Sequence, residues 1–157
     1  MVTIITGKIN SGKSTKVRKH FQDNLLGDGF VSKKIMIGDK VFGYNILKLS
    51  TKQETLFVIR DEFLDEEKEI TCQIGPYLFL KETLDYIEDE ISFLIENNIS
   101  PIYLDEVGQL ELYDKCFDNI LKKILDSNCD LVIAVRDDLL EEVVNKYGIK
   151  EYQISEL

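Results

Sequence analysis

The sequence predicts an α/β fold, a mainly parallel sheet flanked by helices, with a β-hairpin inserted over about residues 30–60. Three observations carry this expectation. Short, nearly continuous apolar runs at 2–6, 101–104 and 131–135 alternate with segments whose apolar residues recur every three or four positions. That is the pattern of parallel strands buried on both faces and of the helices that cover them. The first of these runs passes through a glycine-rich loop directly into a helix-like segment. Finally, 157 residues with 44% hydrophobic and 31% charged side chains, 9 Gly and 2 Pro suit one domain, 1–157, built on one core. Disordered, collagen-like and low-complexity classes are excluded.

Taken in order, Val2 to Thr6 is β-branched throughout and ends at Gly7, as a buried strand does before a turn. From Gly12-Lys13-Ser14 onward, Val17, His20, Phe21 and Leu25 fall at helical spacing, and Gly27-Asp-Gly29 ends that helix. Residues 32–49 alternate around Ile37-Gly38-Asp39-Lys40, a hairpin signal, with a third antiparallel strand at Thr55 to Ile59. Asp61 to Glu69, six of nine acidic, reads as a solvated loop. Beyond Gly75-Pro76, Leu84, Ile87, Ile91, Leu94 and Ile95 mark one face of a helix that stops at Asn97-Asn98. Pro101 to Asp105 is then a buried strand. Tyr113, Phe117, Ile120, Leu121 and Ile124 predict a helix, Leu131 to Val135 a strand, Leu139 to Tyr147 a last long helix and Tyr152 to Ile154 an edge strand.

Charge and cysteine usage narrow the function classes. The formal net charge is -10, which disfavours nucleic acid and anionic membranes as partners. The charge is unevenly spread. Residues 1–52 hold 10 basic and 3 acidic residues, +7, which leaves 9 basic and 26 acidic residues, -17, in the remainder. A basic third on an acidic body suits a small polyanion bound at one end. Cys72, Cys116 and Cys129 are far apart and His20 stands alone, so neither a zinc-site spacing nor a disulfide framework is present. No apolar run approaches the ~18–20 residues of a membrane helix, and the first residues lack the pattern of a signal peptide. The expectation is a soluble, cytoplasmic protein, with no signal for any oligomeric state.

Gly7-Lys8-Ile9-Asn10-Ser11-Gly12-Lys13-Ser14 fits Gly-x-x-x-x-Gly-Lys-Ser/Thr, the P-loop pattern, and lies between a predicted strand and a predicted helix. The chemistry requires that placement. Glycines let the backbone curl around phosphate, the loop N–H groups point inward and the helix amino terminus adds its positive end. Gly7 through Ser14, with Thr15, are the nucleotide-binding candidates. Lys13 would reach the β- and γ-phosphates as a catalytic cation, and Ser14 would ligate Mg²⁺. A second carboxylate for the metal should come from the end of a buried strand. Ile102-Tyr-Leu-Asp105-Glu106 has that form, with Asp105 for Mg²⁺ and Glu106 to orient and deprotonate water.

Arginine is scarce, with only Arg18, Arg60 and Arg136. Arg136, just past a parallel strand's carboxyl end, lies on the rim where α/β ligands bind and is the arginine-finger candidate, a substrate contact or else a salt bridge to Asp137 or Asp138. Asn145-Lys-Tyr-Gly148 departs at its fourth position from the guanine-reading Asn-Lys-x-Asp, so base selectivity should be loose across ATP, GTP, CTP and UTP. Tyr44 and Tyr77 are candidates for stacking on a base or for packing. The three cysteines read as small hydrophobes.

Asp105-Glu-Val-Gly-Gln-Leu-Glu111 after an apolar strand, Gly29-Phe-Val-Ser32, Gly43-Tyr44 and Gly75-Pro-Tyr77 resemble the small nucleoside-triphosphatase family typified by thermophile and cancer-related nucleoside triphosphatases, over nearly the whole chain. The resemblance implies a P-loop protein that hydrolyses several NTPs slowly with Mg²⁺. It implies phosphate at Gly7 to Ser14, metal at Asp105 and water at Glu106, and it includes Gly108 and Glu111. The sequence departs from the family at Lys8 and Asn10 and at Val135-Arg136. Two further readings stay open: a small-molecule or nucleoside kinase whose acceptor replaces water, and a non-enzymatic nucleotide switch.

Overall fold

The computed structural model describes residues 1–65 and 67–156. Its strands are β1 (Val2–Gly7), β2 (Asp28–Ile37), β3 (Lys40–Lys48), β4 (Glu54–Arg60), β5 (Ile70–Ile74), β6 (Tyr77–Leu80), β7 (Ile102–Val107), β8 (Leu131–Arg136) and β9 (Tyr152–Glu156). The helices are α1 (Lys13–Asn24), α2 (Lys81–Glu96), α3 (Gln109–Leu112), α4 (Asp118–Asp126) and α5 (Leu140–Lys146). All nine strands form one sheet in the order β5-β6-β4-β3-β2-β7-β8-β1-β9. From β2 to β9 neighbouring strands are parallel, and from β2 to β5 they are antiparallel. The fold is the mixed α/β class that the alternating strands and helices predict.

Burial explains the continuous apolar strands. On β1, Ile4 belongs to the cluster under α2, α4 and α5, while Ile5 belongs to the cluster that holds Val17 of α1. On β8, Ile133 faces the first cluster and Val132 and Ala134 the second. Each of these residues is at most 2% exposed, so both faces of the strand demand apolar side chains.

The antiparallel strands run past the expected 30–60 segment to Leu80. Asp28 to Phe30 of β2 pair in parallel with Ile102 to Leu104 of β7, and the rest of β2 continues into the hairpin with β3 around Gly38-Asp39. The hairpin therefore extends the main sheet directly. Gly29 makes the junction possible, because a Cβ there would lie 2.1 Å from the Tyr103 carbonyl oxygen. Three expected elements are drawn differently. Residues 70–80, given no element above, form a hairpin turning at Gly75-Pro76. The helix expected through Tyr113 is two helices, α3 and α4, with left-handed Asp114 and Cys116 between them. The last long helix is a 3-10 turn at 137–139 followed by the seven residues of α5. The acidic 61–69 stretch opens with a 3-10 turn, Asp61–Phe63, and its Glu66 lies outside the described residues.

Candidate functional site

The carboxyl ends of β1, β8 and β7 place the site. Gly7 ends β1, and the loop returns as α1 through Gly12, whose φ of 90° lies in the left-handed region that glycine alone enters freely. No atom lies within 4 Å of where a Gly12 Cβ would stand, so the loop is open on that side. Asn10 also takes a left-handed φ, 58°, which asparagine tolerates better than most residues. This accounts physically for one of the loop's departures from the family it resembles. Lys13 is only 4% exposed, and its Nζ donates to the carbonyl of Lys8 at 2.8 Å and to that of Gly7 at 3.5 Å. The lysine thus holds the loop's curl, while its Nζ also stands 3.9 Å from Glu106 Oε2.

Asp105 is fully buried at the end of β7. The Ser14 hydroxyl donates to its Oδ2, and the Ser32 backbone N–H donates to the same oxygen at 3.1 Å. Its Oδ1 is buried without a partner. Burial raises the carboxyl above the ordinary aspartate range, against the pull of the Ser14 and Ser32 hydrogen bonds and of the Lys13 and Arg18 charges. A hard cation with oxygen ligands fits this pair, since it would occupy the orphaned oxygen and the serine hydroxyl together. Among the described residues no three His, Cys, Asp or Glu side chains converge to hold a metal alone. Phosphate oxygens and water would complete the shell. Glu106, with its side chain 45% exposed, is raised by burial and then by the Asp105 charge, with Lys13 pulling the other way.

A cleft of about 690 Å³ opens over these groups. Ile9 through Thr15, Asp105 and Glu106 line it, while Gly7 and Lys8 contribute carbonyls to Lys13 from behind. Its far wall comes from the antiparallel strands and from the chain after β7. Tyr44 and Tyr77 meet there edge to face, 5.8 Å between ring centroids, and Glu111, Cys116 and Phe117 stand beside them. Burial, then Tyr77, pushes the Tyr44 phenol up to about 12. Glu111, 3% exposed, accepts the Gly108 N–H at 2.7 Å and the Phe117 N–H at 3.0 Å.

Two expectations shift. Arg136 does not line the cleft; its Nε donates to Asp138 Oδ1 at 2.5 Å, so a carboxylate two residues on captures the rim guanidinium. The cleft's cations are instead Lys13, Arg18, Lys33 and Lys34, all from the basic first third. Arg18 sits one turn beyond Ser14, and that i,i+4 spacing carries it to the same face of α1. His20 is a packing residue, with Nδ1 3.0 Å from the Tyr103 hydroxyl.

Comparison with known proteins bears on the fold and the family. A family model described as NTPase matches residues 2–156. Nucleoside-triphosphatase THEP1 of Thermotoga maritima is 23% identical over 159 residues, covering 99% of this chain and 87% of its own. The crystal structure of THEP1 from Aquifex aeolicus superposes with a TM-score of 0.68 at 21% identity, covering 100% of this chain and 90% of the other. The solution structure of a human cancer-related nucleoside triphosphatase gives 0.65 at 17%, covering 99% and 87%.

Proposed function

The chain belongs to the NTPase family, and from that premise we propose that it hydrolyses nucleoside triphosphates to the diphosphate and phosphate at the cleft over Lys13, with Mg²⁺ and with little selection among ATP, GTP, CTP and UTP. The observation that carries the reading is the pair Lys13 Nζ and Glu106 Oε2, 3.9 Å apart beside an open glycine loop. At that distance the two are an ion pair, which an entering γ-phosphate would separate, taking the ammonium to its oxygens and leaving the carboxylate to the attacking water.

The loop amides of residues 9–15 and the amino terminus of α1 bind the phosphates. Lys13 stabilises charge that builds on the β- and γ-oxygens. Glu106 orients a water and takes its proton as the water oxygen bonds to the γ-phosphorus, and the bond to the bridging oxygen breaks to release the diphosphate. Burial and the Asp105 charge lift the Glu106 carboxyl, which makes its ionised form a stronger base. Ser14 and Asp105 would hold Mg²⁺, which when bound offsets the charge of the phosphate oxygens. These contacts all go to phosphate, which supports loose base selection. None of the described helices is long and apolar enough to cross a membrane.

Glu106→Gln tests the reading. The amide keeps size and polarity but cannot accept the proton, so phosphate release should fall by ~10²–10⁴. Binding of a non-hydrolysable ATP analogue with Mg²⁺ should stay at the parent level. Hydrolysis at the parent rate would mean that water is activated elsewhere.

A further inference from the structure

The cleft has a second side that the phosphate contacts leave unused. Pairing of β2 with β7 ends at Phe30 and Leu104, and β2 then runs on to Ile37, so its hairpin with β3 rises past the carboxyl edge that carries the glycine loop. Tyr44 of β3, Val58 of β4 and Phe79 of β6 form one cross-strand row on this wall, and all three line the cleft with Tyr77. The Tyr44 and Tyr77 rings stand at 61° to one another, 5.8 Å between centroids, and neither residue is fully buried. They make a corner in which a third flat ring can meet one face offset and the other edge-on, the two arrangements aromatic pairs prefer. Strand order decides what that ring belongs to. β7 stands between β1 and the strands of the wall, so Glu106, near the end of β7, lies between the glycine loop and the tyrosine corner. On the hydrolase reading the triphosphate lies along the loop with its γ end at Lys13, whose Nζ is 3.9 Å from Glu106 Oε2. The tyrosines are then past the γ-phosphorus, on the side from which Glu106 delivers a nucleophile. The nucleoside of the triphosphate itself trails from the α-phosphate, at the opposite end of the chain, and water needs no aromatic wall.

We propose that the tyrosine corner binds a second molecule, a nucleoside, as phosphoryl acceptor, so that the γ-phosphoryl group passes to a nucleoside hydroxyl when one is bound and to water when none is. The proposal rests on the hydrolase reading of the same loop and carboxylate. The base of the acceptor lies in the corner, and its sugar reaches Glu106. Gln109, which also lines the cleft, carries an amide that both donates and accepts, as a base edge requires. The cleft, about 690 Å³, is in the range of cavities that enclose a whole small ligand. Glu106 takes the proton of the acceptor hydroxyl as its oxygen bonds to the γ-phosphorus. The bond to the bridging oxygen breaks, and its electron pair leaves on the diphosphate. A nucleoside monophosphate and a nucleoside diphosphate result, and the proton passes from Glu106 to solvent.

The test supplies Mg²⁺ and ATP labelled at its γ-phosphate, adds adenosine, guanosine, cytidine or uridine in turn, and separates labelled nucleoside monophosphate from free phosphate by chromatography. Label is expected on at least one nucleoside, with less free phosphate as that nucleoside is raised, because both products draw on one phosphoryl group. In Tyr77→Ala the ratio of labelled nucleoside to free phosphate should drop about tenfold, the order lost with one ring that stacks on a base, and Tyr77→Phe should keep the parent ratio. A ratio does not depend on how much of the variant folds. Free phosphate with no label on any nucleoside would overturn the acceptor site and leave the hydrolase reading standing. Label on a nucleoside, with no phosphate released in its absence, would overturn the hydrolase reading alone, and neither product would overturn both. A parent ratio in Tyr77→Ala would overturn the tyrosine corner as the place where the acceptor binds.

Discussion

Glu111→Gln is expected to make stability respond to pH differently from the parent protein, in a direction the site fixes. Burial pushes the Glu111 carboxyl up from 4.5 to about 7, even though the Gly108 and Phe117 N–H groups both favour the ionised form. Below 4.5 the folded and unfolded chains both hold this proton. Between 4.5 and about 7 the unfolded chain has released it and the folded chain keeps it, so stability falls as pH rises. Above about 7 both are ionised and the decline stops. At ~1.36 kcal/mol per pH unit the window amounts to about 3 kcal/mol. Glutamine does not titrate, but it offers one acceptor where two N–H groups wait, which costs ~1–3 kcal/mol. In reducing buffer the variant should therefore melt below the parent at pH 5, and its deficit should shrink by about 3 kcal/mol by pH 8. For a chain of this length that is roughly 6–12 °C in relative melting temperature. A difference between the two proteins that stays constant from pH 5 to 8 would refute a carboxyl lifted by burial.

Lys13→Ala should lower phosphate release by ~10²–10³, the order lost when one preorganised donor is removed from a site where negative charge develops. Asp105→Ala should raise the Mg²⁺ concentration for half-maximal activity while competition among ATP, GTP, CTP and UTP stays as it was, which a metal titration and a mixed-nucleotide assay read together. Arg136→Ala should leave turnover within about fivefold of the parent, because its exposed pair with Asp138 lies off the cleft.

The parallel half of the sheet was legible in the sequence because each of its strands is buried on both faces and so reads as an apolar run. The loop and the Asp105-Glu106 pair stand out in the sequence because phosphate and metal chemistry would restrict residue type and spacing together, and the fold brings Ser14 to Asp105 and Lys13 to Glu106. What stayed hidden has local causes. β5 and β6 are five and four residues long, and their turn residues, Gly75-Pro76, equally mark the end of structure. Helical spacing from Tyr113 to Ile124 persists across a break that the Glu111 carboxylate imposes by taking the Phe117 N–H. A single sequence does not register such a long-reaching side-chain bond. Arg136 was placed on the correct rim by strand logic, but the direction of its side chain was decided by Asp138. Arg18 could have been found by applying the four-residue period to Ser14.

The strand order explains why the two chemical halves of the site reach one another. The glycine loop follows β1 and Asp105 ends β7, yet β8 lies between them. Helix α1 must therefore pass over β8 for Ser14 to bond Asp105. The residues of β8 on that face are Val132 and Ala134, and Ala134 shares its buried cluster with Val17 of α1 and with Tyr103 of β7. A side chain as small as alanine beneath the helix lets it lie close to the sheet. Ser32 fixes the other side, since its N–H reaches Asp105 from β2, whose start is drawn against β7 at Gly29. The serine–aspartate contact is thus set by packing on either side of β7, and the basic first third meets the acidic body where phosphate charge and metal charge would offset each other.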